Sequence, residues 1–189
     1  MIVPRMRRVV GVAIALLLVG CSTMGAVAGL LGNAVSFTTP QLQGYLDHRF
    51  PRDYNKLGGL VTLTMMHPRL SIPQGSHRLR LDFDVGVGAL GQSASGPSGH
   101  FAVASGLRFD PSTRGLHLDH PTLESVDMPA LGGAMNATGR DLINRWLGDY
   151  ARDEPVYRLD DSLWQRLASR RIGATTIENG LVVVHLDQQ

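Results

Sequence analysis

Between residues 77 and 87 the chain alternates strictly. Leu79, Leu81, Phe83, Val85 and Val87 are apolar, and Arg78, Arg80, Asp82 and Asp84 stand among them. A period of two places the first set on one face of a β-strand and the second on the other. The stretch therefore predicts an antiparallel strand with one buried and one wet face. The charged row reads as a solvated ladder of little stabilising value. The same alternation marks Val61, Leu63 and Met65, and again Phe101, Val103, Leu107 and Phe109, where Ser105 interrupts the apolar row. Pro68 and Pro73 bracket a short piece around Leu70 and Ile72. Asp110-Pro111-Ser112-Thr113-Arg114-Gly115 predicts a turn into a strand at Leu116–Leu118. Asn179-Gly180, between Ala174–Glu178 and Leu181–Leu186, predicts a hairpin with a two-residue turn.

Three segments switch to the helical period. Thr38 is placed to cap a short N-terminal helix with Gln41 as its capping-box partner, and Pro40 falls in the first turn. Phe37 and Leu42 form a hydrophobic staple, Leu42, Tyr45, Leu46 and Phe50 share a face, and Pro51 ends the helix. From Pro129 to Tyr150, Leu131, Met135, Leu142, Trp146, Leu147 and Tyr150 recur at three- and four-residue steps, which predicts the longest helix. Gly132, Gly133 and Gly139 each weaken it by up to about 1 kcal/mol relative to Ala. Val156–Leu159 reads as a short strand. Asp161–Arg171 reads as another helix, acidic at its start and basic at its end, as the helix dipole prefers. Amphipathic strands must cover their apolar face, and the helix around Leu142 and Trp146 is the longest element able to do so. The fold class predicted is α+β: an antiparallel sheet with a long helix packed against it, plus a short N-terminal helix.

Ahead of these elements lie Arg5, Arg7 and Arg8, an apolar run from Val9 to Val19, and Leu18-Val19-Gly20-Cys21. This is the layout of a secretory signal. A spanning helix needs about 20 residues, so the run is too short unless it extends through Cys21-Ser22-Thr23. The cysteine, the chain's only one, stands where cleavage is expected, and the segment resembles the lipobox of bacterial lipoproteins. That resemblance implies a cut just before Cys21, a diacylglycerol on its thiol, and further acylation, palmitate for example, on the new amino terminus. The alternative is a plain signal peptide with an incidental cysteine. Residues 1–20 are then the signal, 21–36 a flexible Gly- and Ala-rich tether without charge, and 37–189 a single domain. Ser22 follows the cysteine, where the resembled pathway uses Asp to retain a lipoprotein at the inner membrane. Its absence implies outer-membrane delivery, with the domain facing the periplasm.

Composition changes the picture in two ways. The chain carries 18 Lys+Arg and 16 Asp+Glu, a formal +2 that becomes −1 once Arg5, Arg7 and Arg8 leave with the signal. Charge therefore gives no support to nucleic-acid binding. With Cys21 acylated, no thiol remains for a disulfide, a metal cluster or a nucleophile.

The tempting chemistry is weak. Gly86-Val87-Gly88-Ala89-Leu90-Gly91 matches G-x-G-x-x-G, but that motif holds pyrophosphate only where a buried parallel strand enters a helix. Here the strand is amphipathic, and Gln92-Ser93-Ala94-Ser95-Gly96-Pro97-Ser98-Gly99 cannot open a helix. On a strand, His117 and Asp119 share a face while His120 points away. Two ligands are too few for a closed metal site, and the segment reads as an exposed hairpin edge. No G-x-S-x-G elbow occurs. Asn136-Ala137-Thr138 fits the glycosylation sequon and reads as chance. The expectation is a non-enzyme without cofactor or metal.

Several segments together resemble the YceB-like family of bacterial lipoproteins. They are Phe37-Thr38-Thr39-Pro40-Gln41-Leu42-Gln43-Gly44-Tyr45-Leu46, Arg49-Phe50-Pro51, Gly59-Leu60, Pro68-Arg69-Leu70-Ser71-Ile72-Pro73, Arg78-Leu79-Arg80-Leu81-Asp82-Phe83 and Asn179-Gly180-Leu181-Val182-Val183. The family looks related to the tubular lipid-binding folds called TULIP, in which a long helix packs into a curled antiparallel sheet and leaves an apolar groove. The resemblance implies a lipid or fatty-acid ligand, with Met65, Leu81, Phe83, Phe101, Met135, Leu142 and Trp146 as candidate lining residues. Each is also a plausible core residue, and the core is the commoner place for any one of them. The alternative is a structural or adaptor lipoprotein with a filled core, acting on another cell-envelope protein.

Overall fold

A computed structural model describes residues 30–56, 60–128, 137–167 and 169–187. The signal, Cys21 and the first part of the expected tether lie outside these residues. The fold is α+β, dominated by antiparallel sheet, with three helices among the described residues.

A four-stranded sheet has the order β1 (Leu30–Leu31), β2 (Ala34–Thr38), β10 (Leu181–Asp187), β9 (Arg171–Glu178). The first correction lies here. Residues 30–36 were expected in the tether, yet Val35 is fully buried and pairs with Val184. The reason is local: Val35 and Phe37 alternate with Ala34, Ser36 and Thr38, and only the two apolar positions are buried. The Asn179-Gly180 turn is as expected, with φ of 51° and 75° at its two central residues, the values a type I′ hairpin requires.

Helix α1 (Thr39–Asp47) follows β2. Its capping box is formed: Gln41 Oε1 accepts from the Thr38 backbone N–H (2.7 Å) and from the Thr38 hydroxyl (3.1 Å). Leu42 and Leu46 are buried. The helix ends at Asp47 rather than at Phe50, although the Phe50 N–H still reaches the Leu46 carbonyl at 3.2 Å.

A six-stranded antiparallel meander runs β3 (Arg52–Lys56), β4 (Val61–Ser71), β5 (Leu79–Ala89), β6 (Gly99–Asp110), β7 (Gly115–Asp127), β8 (Tyr157–Arg158). β9 lies against β6, which brings the two sheets together. Pro68 does not break its strand. The register shifts between Met66 and Arg69, and His67 takes φ 45°. The resulting bulge tolerates a residue that cannot donate to the ladder. β7 extends well past Leu118 because bulges absorb His120 and Pro121. Ser105 serves one of them, accepting from the Asp119 N–H (3.0 Å) while its hydroxyl lies 2.8 Å from the Gly106 carbonyl. The apolar row of β6 is interrupted by a side chain that satisfies displaced backbone.

Leu79, Leu81, Phe83 and Val85 are buried as their period demands. Val87, expected on the same face, is 44% exposed, because β5 runs on past the core to its turn at Leu90-Gly91. The longest described helix, α2 (Ala137–Asp153), runs past the expected end at Tyr150; residues 129–136 lie outside the described residues. A last helix, α3 (Asp161–Leu167), stops before Arg171, which opens β9 instead.

Candidate functional site

The candidate site is the layer between the six-stranded sheet and α2. Met65 from β4, Leu81 and Phe83 from β5, Phe101 from β6 and Trp146 from α2 are all buried in one hydrophobic cluster. Strand register explains part of this: Phe83 pairs with Phe101, and Met65 with Val85. Met135 lies outside the described residues, as does the side chain of Leu142.

Trp146 is the centre of the layer. Its ring meets Phe83 at 5.5 Å and 82°, Phe101 at 5.5 Å and 76°, Tyr54 at 5.5 Å and 75°, and Tyr150 at 5.2 Å and 30°. Edge-on pairs of this kind contribute about 0.5–1.5 kcal/mol beyond the area they bury. Phe50 adds contacts to Phe83 and Tyr150. Sequence reasoning missed Tyr54. It sits in Arg52-Asp53-Tyr54-Asn55-Lys56, where one aromatic among polar residues gives no apolar row.

The layer is apolar but not wholly satisfied. The Tyr54 hydroxyl and the Trp146 indole N–H are buried with no partner outside each other, and the indole N–H leans on the phenol oxygen short of a well-formed hydrogen bond. Burial raises the Tyr54 and Tyr150 pKa values, so both phenols stay neutral. Beside the layer, Glu154 at the end of α2 binds Arg49 (3.0 Å) and Arg52 (2.8 Å), and Arg52 lies over the Tyr54 ring at 5.6 Å.

No family model matches this chain, and no curated protein matches it.

The other candidate residues have structural explanations. The G-x-G-x-x-G glycines let the following loop fold back onto β5. A Cβ on Gly86 would collide with the Ala94 Cβ and lie 2.6 Å from the Gly96 carbonyl, and one on Gly88 would collide with the Gln92 carbonyl. The loop is pinned by the Ser98 N–H to the Val85 carbonyl (2.8 Å) and the Ala94 N–H to Thr64 Oγ1 (3.0 Å). Asp53 accepts from the hydroxyls of Ser93 and Thr64, which hold its carboxyl below the usual range. A loop bonded in this way faces its own sheet, not a phosphate.

His117 is a second correction. It is fully buried rather than on an exposed edge, because the end of α2 packs on β7 and brings the Ala151 backbone to the ring. Its Nε2 lies 2.7 Å from Thr113 Oγ1, and burial, reinforced by the Arg108 guanidinium, lowers its pKa. His120 is exposed, with Nδ1 2.9 Å from Asp119 Oδ1. Among the described residues no group of three or more His, Cys, Asp or Glu could hold a metal ion.

A cleft of about 840 Å³ lies elsewhere, between the β4–β5 connection and the β9–β10 turn. Ile72, His77, Ile177 and Glu178 are among its walls, and His77 Nδ1 lies 3.1 Å from the Ile177 carbonyl. None of the expected lining residues whose side chains are described borders it.

Proposed function

We propose that this chain is a lipoprotein held by acyl groups on Cys21 at the periplasmic face of the outer membrane. On this reading its sheet and α2 form a TULIP-like container for an acyl chain or another hydrophobic ligand. The supporting observation is a buried polar pair, the Tyr54 hydroxyl and the Trp146 N–H, that has no well-formed hydrogen bond in an otherwise apolar layer. Buried polar groups are rarely left without partners. A fatty acid or ester would bring a well-placed acceptor oxygen for the Tyr54 hydroxyl proton, and its tail would fit the apolar surroundings.

The test is a melt of delipidated protein with and without added palmitate or phospholipid. A ligand at about 100 times its dissociation constant adds roughly 2.7 kcal/mol of stability. Tyr54→Phe should shrink that gain while leaving the empty form nearly as stable. A second reading is favoured by the ring packing itself. Four aromatic rings crowd Trp146 at 5.2–5.5 Å, as a filled core would have it, and the domain would then act as an adaptor through its surface. A parent protein that shows no lipid-dependent shift supports this second reading.

A further inference from the structure

Leu60 and Leu90 are the two most exposed large apolar residues of the described chain, at 62% and 78%, and Val87 follows at 44%. All three belong to one end of the β4–β5 pair. The Leu90 N–H donates to the Leu60 carbonyl at 3.2 Å, and Val61 pairs with Ala89. Leu90 and Gly91 have φ of 53° and 76°, almost the values of Asn179 and Gly180 in the other tight turn. Asn suits that left-handed position, whereas a bulky leucine is strained there. The chain thus holds its most exposed leucine on a conformation leucine disfavours.

The two strands carry no charge at this tip, and the cation beside it in the sheet is Lys56 of β3, which pairs with Val61. Residues 60–66 and 85–99 contain no Asp, Glu, Lys, Arg or His. The acid packed closest, Asp53, is covered by the hydroxyls of Thr64 and Ser93. The rest of the pair carries Arg69 on β4 and Arg80, Asp82 and Asp84 on β5 as far as its middle, with Arg78 just ahead of the strand. The strand pair is therefore polarised along its length, charged at one end and uncharged and apolar at the other.

We infer that the Leu60–Leu90 tip inserts into a phospholipid bilayer surface. Exposed apolar patches mark protein or membrane contacts, and three features favour the membrane. The tip is formed by turns, without the broad face of about 800 Å² per partner that a stable protein interface needs. It has none of the Trp, Tyr or Arg anchors that dominate such interfaces. Its own strands also lack charges that would be costly to bring into hydrocarbon, and the neighbouring cation, Lys56, is a residue type that suits the anionic headgroup level. The inference is independent of any ligand inside the layer. It rests on the proposed anchor only to keep the domain near the bilayer.

Because the chain has a single cysteine, acylation of Cys21 leaves an introduced thiol unique. The full processed protein is prepared with Leu90→Cys or, at the charged end, Gln74→Cys. Each is labelled with an environment-sensitive fluorophore and reconstituted in phosphatidylglycerol–phosphatidylethanolamine vesicles containing brominated lipid. The expected result is a blue shift and at least about twofold quenching at position 90, neither at position 74, and loss of quenching when Leu60→Asp is added. Equal and weak quenching at both positions would overturn the inference, as would quenching at 90 that survives Leu60→Asp. Intact mass reads acylation of Cys21 separately. If the cysteine is unmodified it is replaced by serine, and the labelled full chain is mixed with preformed vesicles and read in the same way. Failure of the anchor and failure of the tip are thus distinguishable.

Discussion

The indole of Trp146 stands edge-on to the ring of Phe83, 5.5 Å between centroids and 82° apart. This one contact joins α2 to the middle strand of the apolar β5 row. It makes Trp146 the side chain on which the helix–sheet layer depends.

Trp146→Ala should therefore destabilise the domain by about 3–5 kcal/mol, the usual cost of removing a large buried aromatic. Denaturant unfolding followed by circular dichroism checks it. Trp146→Phe should recover part of the loss, since an edge-on partner for Phe83 and Phe101 is retained.

Leu81→Trp separates the two readings of the layer. In a filled core the larger ring overpacks and costs about 1–3 kcal/mol. In a container the ring takes ligand space, so the delipidated form keeps its melting temperature and the lipid-induced rise disappears.

Cys21→Ser should abolish acylation and processing. Intact mass and membrane fractionation report both. A mutant that still matures and still partitions with membranes would remove the basis for the lipoprotein reading.

His117 predicts a pH dependence. Its folded pKa lies below the ordinary value of 6.5 because burial and Arg108 disfavour the charged ring. Below 6.5 the unfolded chain binds the proton that the folded chain resists, so stability is full above that pH and falls as pH drops through it. Denaturation midpoints from about pH 7 to 5 should decline less steeply in His117→Gln than in the parent. The comparison is one of slopes, so it holds even if the variant is less stable overall.

Gly88→Ala should detach the loop over β5. The new methyl meets the Gln92 carbonyl, and relief of that overlap costs about 1–3 kcal/mol. Limited proteolysis is expected to cut within residues 92–98 faster than in the parent, while the Trp146 environment, read by fluorescence, stays unchanged.

Local signals were legible where local chemistry decides the structure. Thr38 and Gln41 announce their helix because the capping box needs only those two side chains. Asn179-Gly180 announces its turn because few other pairs accept two positive φ values. The burial of Leu79 to Val85 follows from their period alone. The bulges at His67 and His120 were not legible, since a prolines-break-strands reading has no way to see that a register shift absorbs Pro68 and Pro121. Nor was the fold-back of residues 92–98, whose anchors Asp53 and Thr64 are distant in sequence. For the site, the sequence supplied the apolar side chains. Their meeting around Trp146, and the part played by Tyr54, depend on strand order, which no single segment carries.

The pairing of β2 with β10 has a consequence for the life of the chain. Apart from the two-residue β1, residues 34–38 find their partner in residues 181–185, far along the sequence. Until that last strand has emerged, Val35 and Phe37 have no sheet to complete, and the first sheet stays open however much of the meander has formed. Contacts of such long separation form late. A growing chain is thus kept from closing this sheet early, and β10 acts as the latch that commits it to the folded state.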